Sequence, residues 1–201
     1  MEYISDNKVA FKTNTNKYWV MGGKGAITAT ATTVTPDAEF QLDWDDNKIS
    51  LKANNGKYLC PKMSGHLVAS ADVVGDKESF VFGIVNRPLL VLRGEFGYIG
   101  QRSGMSKLEC NRGNYDVFEL IFEDGYYKIK TKNGKFWTVD DSKSVVAAGD
   151  EAGGDKFSII LKDTKHMYLK ALSNQLYVQG DQSGGIKATA DQVDKNCLWE
   201  H

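Results

Sequence analysis

The side chains best able to move protons near neutral pH are three histidines, His66, His166 and His201, and they stand far apart in the chain. None has a partner at metal-ligand spacing, and no His-x-x-Glu or Cys-x-x-Cys accompanies them. A nucleophilic triad needs a histidine beside Ser or Cys and a carboxylate, and no motif supplies one. Adjacent carboxylates occur at Asp45-Asp46 and Asp140-Asp141. Both pairs fall in polar turns, where Asp bonds its own backbone, so a pair of glycosidase acids is the poorer reading. Gly149 to Gly154 has the glycine content of a phosphate loop, but Asp155 stands where such a loop needs Lys. The three cysteines, Cys60, Cys110 and Cys197, form an odd set. They read as small core hydrophobes in a reducing compartment. These residues lead us to expect no enzyme activity, no metal and no cofactor.

Composition narrows the partners. The 201 residues are 41% hydrophobic and 25% charged with 3 prolines, an ordinary globular balance. No run approaches the ~20 apolar residues of a membrane helix. The start, Met1-Glu2-Tyr3-Ile4-Ser5-Asp6, has neither a basic nor an apolar stretch, so no secretory signal is expected. Net charge is −1; residues 1–86 hold 9 Lys+Arg against 10 Asp+Glu, and residues 87–201 hold 16 against 16. Nucleic-acid binders draw most of their affinity from a basic excess that is absent here. An anionic partner must meet a local patch.

The elements that position these residues come from a repeat. Five segments open with an alternating apolar/basic strand, turn at a polar stretch and resume with an aromatic: VAFKTNTNKYWV from Val9, ISLKANNGKYLC from Ile49, LVLRGEFGYIG from Leu90, YKIKTKNGKFWTV from Tyr127 and MYLKALSNQLYV from Met167. The aromatics are Tyr18, Tyr58, Tyr98, Phe136 and Tyr177, spaced 40, 40, 38 and 41. A third strand follows with Ile27, Leu67, Leu108, Val145 and Ile186, and a fourth with Phe40, Phe80, Phe118, Phe157 and Leu198. Period-2 alternation between Gly, Asn and Asp turns predicts four short strands per repeat and no long helix. A forty-residue unit cannot close a core alone, so units must associate. Propeller blades and β-trefoils both use four-strand units; propeller signatures are absent, and a trefoil takes three units, into which five do not divide.

The segments KTNTNKYW, LKANNGKYL, Ile84-Val85-Asn86-Arg87-Pro88, RGEFGYIG, YDVFEL, KNGKFWTV and the terminal LWEH resemble the C-terminal half of fascins, from about Asn7 to His201. Fascins are tandem β-trefoils that cross-link actin filaments. The resemblance implies an all-β chain with a partial trefoil of two units plus one leading strand over 1–86 and a complete trefoil over 87–201. Glu2-Tyr3-Ile4 is similar to the last strand of a preceding unit. It implies filamentous actin as partner, in the cytoplasmic actin cytoskeleton. A trefoil lacking a unit has an uncovered core face, so residues 1–86 are expected to self-associate, to pack against the complete trefoil, or to be completed by a unit that lies elsewhere.

In a repeat protein, whatever recurs is scaffold and whatever is particular to one copy is the better functional candidate. Lys12, Lys52, Arg93, Lys130 and Lys170 recur at one strand position, so they read as scaffold. The copy-specific basic residues are Arg102, Lys107 and Arg112 in the third repeat and Lys62 in the second. The resemblance to fascins carries actin contacts to Lys62, Glu95, Arg102 and Asp181. Where fascins tend to have basic or His residues beside these, this chain has Phe96, Ser103, Gln179 and Gln182. Fewer positive charges slow encounter with an acidic filament. Bundling needs two separated filament sites per particle, so filament binding without bundling is expected of a monomer. The alternative is a β-trefoil ligand-binding or lectin-like module. Against it, Gln41-Leu42-Asp43-Trp44 is one residue longer than the Gln-x-Trp of trefoil lectins and has no second copy.

Overall fold

The computed structural model describes residues 1–84 and 88–201. The chain is all-β, built of β-trefoil repeats: the described residues form strands and short 3-10 turns, in two compact units, Met1–Phe82 and Gly83–His201. The predicted boundary between residues 86 and 87, and Val85-Asn86-Arg87 of the fascin-like motif, lie outside the described residues.

Each repeat supplies two strands to a sheet ring and one hairpin to a cap. In the second unit the ring strands are Leu89–Leu90 continuing to Arg93–Gly94, Phe118–Glu123, Tyr126–Lys130, Phe157–Leu161, His166–Ala171 and Trp199–Glu200. They pair antiparallel in that order, and Arg93 opposite Glu200 closes the ring. One hairpin, from Phe118–Glu123 into Tyr126–Lys130, turns at Asp124 (φ 53°) and Gly125 (φ 87°). An Asp-Gly pair adopts this two-residue turn, whose twist matches that of the strands, at little cost.

The cap hairpins are Gly97–Gln101 with Leu108–Arg112, Phe136–Val139 with Val145–Gly149, and Tyr177–Gly180 with Ile186–Ala190. They are stitched around an approximate threefold axis by three equivalent hydrogen bonds. The Ala147 N–H donates to Ser106, Ala188 to Lys143 and Cys110 to Gly184, at 2.7, 2.9 and 3.1 Å. Beneath them Ile99, Trp137 and Val178 are fully buried, and Leu108, Val145 and Ile186 nearly so. Each such side chain stabilises the unit by roughly 1.5–3 kcal/mol. Trp137 packs edge-on against Phe118 and Phe157, with centroids 5.1 and 6.1 Å away.

The ring also corrects one predicted core position. Opposite Met167 stands Trp199, where the other repeats place Phe40 opposite Val9 and Phe157 opposite Tyr127. Leu198, expected to fill that place, caps the short turn Lys195–Cys197 and is only half-buried. The first repeat has the same arrangement, with the turn Pro36–Ala38 and Glu39 ahead of Phe40, and Trp199 follows Tyr177 by the 22 residues that separate Phe40 from Tyr18.

The first unit repeats the plan with fewer parts. Its ring strands Glu2–Ser5, Lys8–Ala10, Phe40–Asp45, Lys48–Lys52 and Phe80–Val81 pair in that order as an open path. Two cap hairpins, Tyr18–Met21 with Ile27–Ala31 and Tyr58–Pro61 with Leu67–Ala71, stand where the second unit has three. Accordingly Ile27 is only partly buried, as are Trp19, Leu67 and Phe80, which line a cleft of about 200 Å³.

Candidate functional site

The recurring basic row has a scaffold role. Lys12, Lys52, Arg93 and Lys170 each lie over the turn aromatic of their own repeat, 5.3, 5.3, 5.7 and 5.9 Å from the ring centroids of Tyr18, Tyr58, Tyr98 and Tyr177. The pairing fits a cation to the negative face of a ring. Lys130, whose turn aromatic is Phe136, reaches Glu119 on the neighbouring strand at 3.1 Å instead. The acid pairs behave as turns. The Asp140 carboxylate accepts from the Ser142 and Ser144 N–H groups, both at 2.9 Å. Asp46 has φ 53° in a hairpin turn.

Three candidate residues prove to be the same position in different repeats. The N–H of Lys62, Arg102, Asp140 and Asp181 each opens the cap-hairpin turn, donating to His66, Lys107, Ser144 and Gly185 at 2.8–2.9 Å. At Asp181 the side chain completes the turn, accepting from Ser183 Oγ and from Gly185 N at 3.0 Å, as Asp140 does in its own repeat. The Ser183 hydroxyl, then these backbone donors, hold the Asp181 carboxyl below the usual carboxylate range, against a partial opposing effect of burial. Lys62 and Arg102 replace this aspartate with cations. Lys62 Nζ reaches Ser70 Oγ at 3.3 Å.

Arg102, Lys107 and Arg112, from the third repeat's turn and strand, converge on one carboxylate. Their cationic nitrogens lie 3.5, 3.5 and 3.9 Å from Glu109, whose side chain is 19% exposed, against 54%, 47% and 34% for the cations. Arg112 also donates to the Gln101 carbonyl at 3.0 Å. Pairs this exposed stabilise the fold by about 0–1 kcal/mol each. Their consequence is a positive surface held in place rather than a stability gain. Sequence reading missed Glu109 as the anchor, although the repeats signal it: Thr28, Val68, Val146 and Lys187 stand at its equivalents.

Of the other candidates, Asp181 belongs to a turn packed on the Glu109 strand. The Cys110 N–H donates to Gly184, and Cys110 Sγ lies 3.6 Å from the Asp181 carbonyl oxygen. Glu95 sits in the short turn between Gly94 and Gly97 and pairs with Lys195 at 3.0 Å. The second unit thus gathers Arg102, Lys107 and Arg112 tightly and brings the Asp181 turn alongside their strand. Lys62 belongs to the first unit. All three cysteines are buried, and burial pushes the Cys110 and Cys197 thiols up, away from reactive thiolate. Among the described residues no three His, Cys, Asp or Glu side chains are grouped to hold a metal, and no helix is long and apolar enough to cross a membrane.

Repeats with this geometry match a known family over nearly the whole chain: the Fascin domain, at residues 1–82 and 95–201. This chain belongs to the fascin family. Mouse Fascin-2 is 39% identical over 96% of the chain. Sea urchin (Strongylocentrotus purpuratus) Fascin is 37% identical over 61%, and mouse Fascin-3 is 31% identical over 87%. The chain spans 39%, 24% and 35% of these relatives' own lengths, so it corresponds to a minor part of a full-length fascin.

Proposed function

We propose that this fascin binds actin filaments through the third-repeat basic surface, with Arg102, Lys107 and Arg112 meeting filament acids and Glu95 and Asp181 at its margin. Lys62 contributes from the first unit. The observation that carries this reading is the convergence of three copy-specific cations on Glu109, inside a fascin domain. A cationic patch on a near-neutral protein acts chiefly on encounter rate and is weakened by salt. The role is binding rather than catalysis, in the cytoplasmic actin cytoskeleton.

Residues 1–86 form a two-unit trefoil with one leading strand, and residues 87–201 a complete one. The partial trefoil associates with a second copy of the chain through its open end. Val81 is exposed there at the Trp19, Leu67 and Phe80 cleft, and Ile4 is exposed on the strand at the other end of the open path. With 9 Lys+Arg against 10 Asp+Glu over residues 1–86, two copies do not repel. A monomer of 22.3 kDa carries one filament surface and binds without bundling; a dimer has two and bundles.

Co-sedimentation with purified filaments at low and at physiological salt tests the first claim. Pelleting that weakens with salt supports it, and absence of binding at low salt ends it. Low-speed pelleting alongside light scattering tests the second. Bundles made by a proven monomer would refute it.

A further inference from the structure

We propose that the second unit holds a binding site for a single neutral pyranose sugar, in the cleft between the Glu95-Phe96 turn and the Gln179–Lys187 hairpin end. The cleft encloses about 240 Å³ and is walled by Phe96, Gln179, Asp181, Lys187 and Asn196 over a floor at Gly180.

The internal symmetry shows that the cleft is particular to one place. Gly180, Gln101 and Val139 are equivalent residues, each opposite the buried apolar residue of its hairpin: Ile186, Leu108 and Val145. At the Gln101 location the next repeat's turn reaches over, and Asn133 donates to the Gln101 side-chain oxygen at 3.3 Å. Two departures leave the Gly180 location open. A side chain at Gly180 is excluded, because a Cβ there would lie 2.7 Å from Cys110 Sγ and 3.2 Å from the Trp199 ring. The turn facing it has four residues between Arg93 and Tyr98, where five separate Lys130 from Phe136. In other repeats the asparagine of this turn is tied down, Asn55 to Ala69 and Asn174 to Ala188 at 3.0 and 2.9 Å; here Phe96 stands in that turn.

The groups around the opening suit a sugar. Phe96 packs against the core and presents a half-buried apolar wall to the C–H face of a ring. Gln179 commits its NH2 to Thr189 Oγ1 at 2.7 Å, and Asn196 commits its own to Asp194 at 3.1 Å. Their carbonyl oxygens therefore remain as acceptors for hydroxyls. Asp181 adds a carboxylate oxygen and Lys187 a donor, and the two charges offset. A phosphate or carboxylate ligand would meet Asp181 with only Lys187 against it, so an anion is disfavoured. The volume is below that of drug-sized pockets and suits one ring. The Gln41–Trp44 segment takes no part, and the inference does not rest on filament binding.

Saturation-transfer difference NMR on the full chain tests the site, with methyl glycosides of glucose, galactose, mannose and N-acetylglucosamine as probes and adenosine as a flat heterocyclic comparison. Expected is transfer to the C–H face of at least one glycoside, with a dissociation constant on the order of 1 mM. Phe96→Ala and, separately, Gln182→Ala at the exposed rim should weaken it, the first by about tenfold or more, the equivalent of one aromatic contact. Gln101→Ala, at the bridged equivalent, should leave it unchanged. Circular dichroism verifies that each variant folds. No transfer from any glycoside, transfer unaffected by Phe96→Ala, or transfer to adenosine alone would each overturn the proposal.

Discussion

The two units of this fascin contain the same repeat at different degrees of closure, and the same sequence position changes its physical role between them. Trp137 in the second unit is fully buried between Phe118 and Phe157. Its counterpart Trp19 in the first unit lines an apolar cleft, tilted against Phe11 at 4.9 Å. Leu108, Val145 and Ile186 are 1–2% exposed, whereas Ile27 and Leu67 are only partly buried. Local strand formation is alike in both units, down to the lysine over the turn tyrosine. What differs is whether a third hairpin arrives to cover the cap. Period and alternation are therefore enough to make the module, and only assembly makes its interior.

The most forceful way to break this comparison is to truncate the equivalent tryptophans. Trp137→Ala should cost the second unit about 3–5 kcal/mol, and Trp19→Ala about half that or less in the first. Urea unfolding followed by circular dichroism measures both, and equal losses would show that the first unit's cap is as dry as the second's. Next comes the order of unfolding. Trp19 and Trp44 report on the first unit and Trp137 and Trp199 on the second, so fluorescence of Trp→Phe pairs resolves them. The first unit should unfold at lower urea, its stability increasing with protein concentration if a second copy covers it.

The acid response is smaller. Asp181 and Asp140 have carboxyls held below their ordinary value, first by the hydroxyls of Ser183 and Ser142. A depressed carboxyl stabilises the fold above the unfolded value of about 4 and loses that contribution as pH falls through its folded value. The melting temperature of the second unit should therefore drop below about pH 4, and Asp181→Asn should flatten the slope. Smallest in free energy is the effect on the proposed filament surface. Reversing Arg102 and Lys107 to Glu should weaken filament co-sedimentation several-fold at low salt and little at high salt, while the melting temperature barely moves.

Much of the fold was legible because a period-2 pattern recurring five times leaves few architectures. The aromatic markers, the hairpin turns and the buried cysteines all follow from local alternation and turn chemistry. Leu198 is expected where Trp199 stands because it is the aliphatic neighbour; Trp199 keeps the 22-residue spacing from its turn aromatic that Phe40 and Phe80 keep, and Leu198 caps the preceding turn as Glu39 does. The site was less legible. Lys62, Arg102 and Asp181 looked like separate candidates in a linear alignment; hydrogen bonding shows one turn position, at which Asp181 completes the loop and the two cations do not.

By itself, then, the sequence determined the module: four strands, the left-handed turn residues that end them, and the cation stacked on the turn tyrosine in four of the five repeats, all interactions within about forty residues. Tertiary structure decided what lies far apart along the chain. The convergence of Arg102, Lys107 and Arg112 on Glu109 needs a strand and turn to meet at a fixed register, and the Phe96–Gly180 cleft needs the third and fifth repeats to meet across a closed ring. Local pattern encodes direction and burial, whereas distances between repeats are set only when the ring closes.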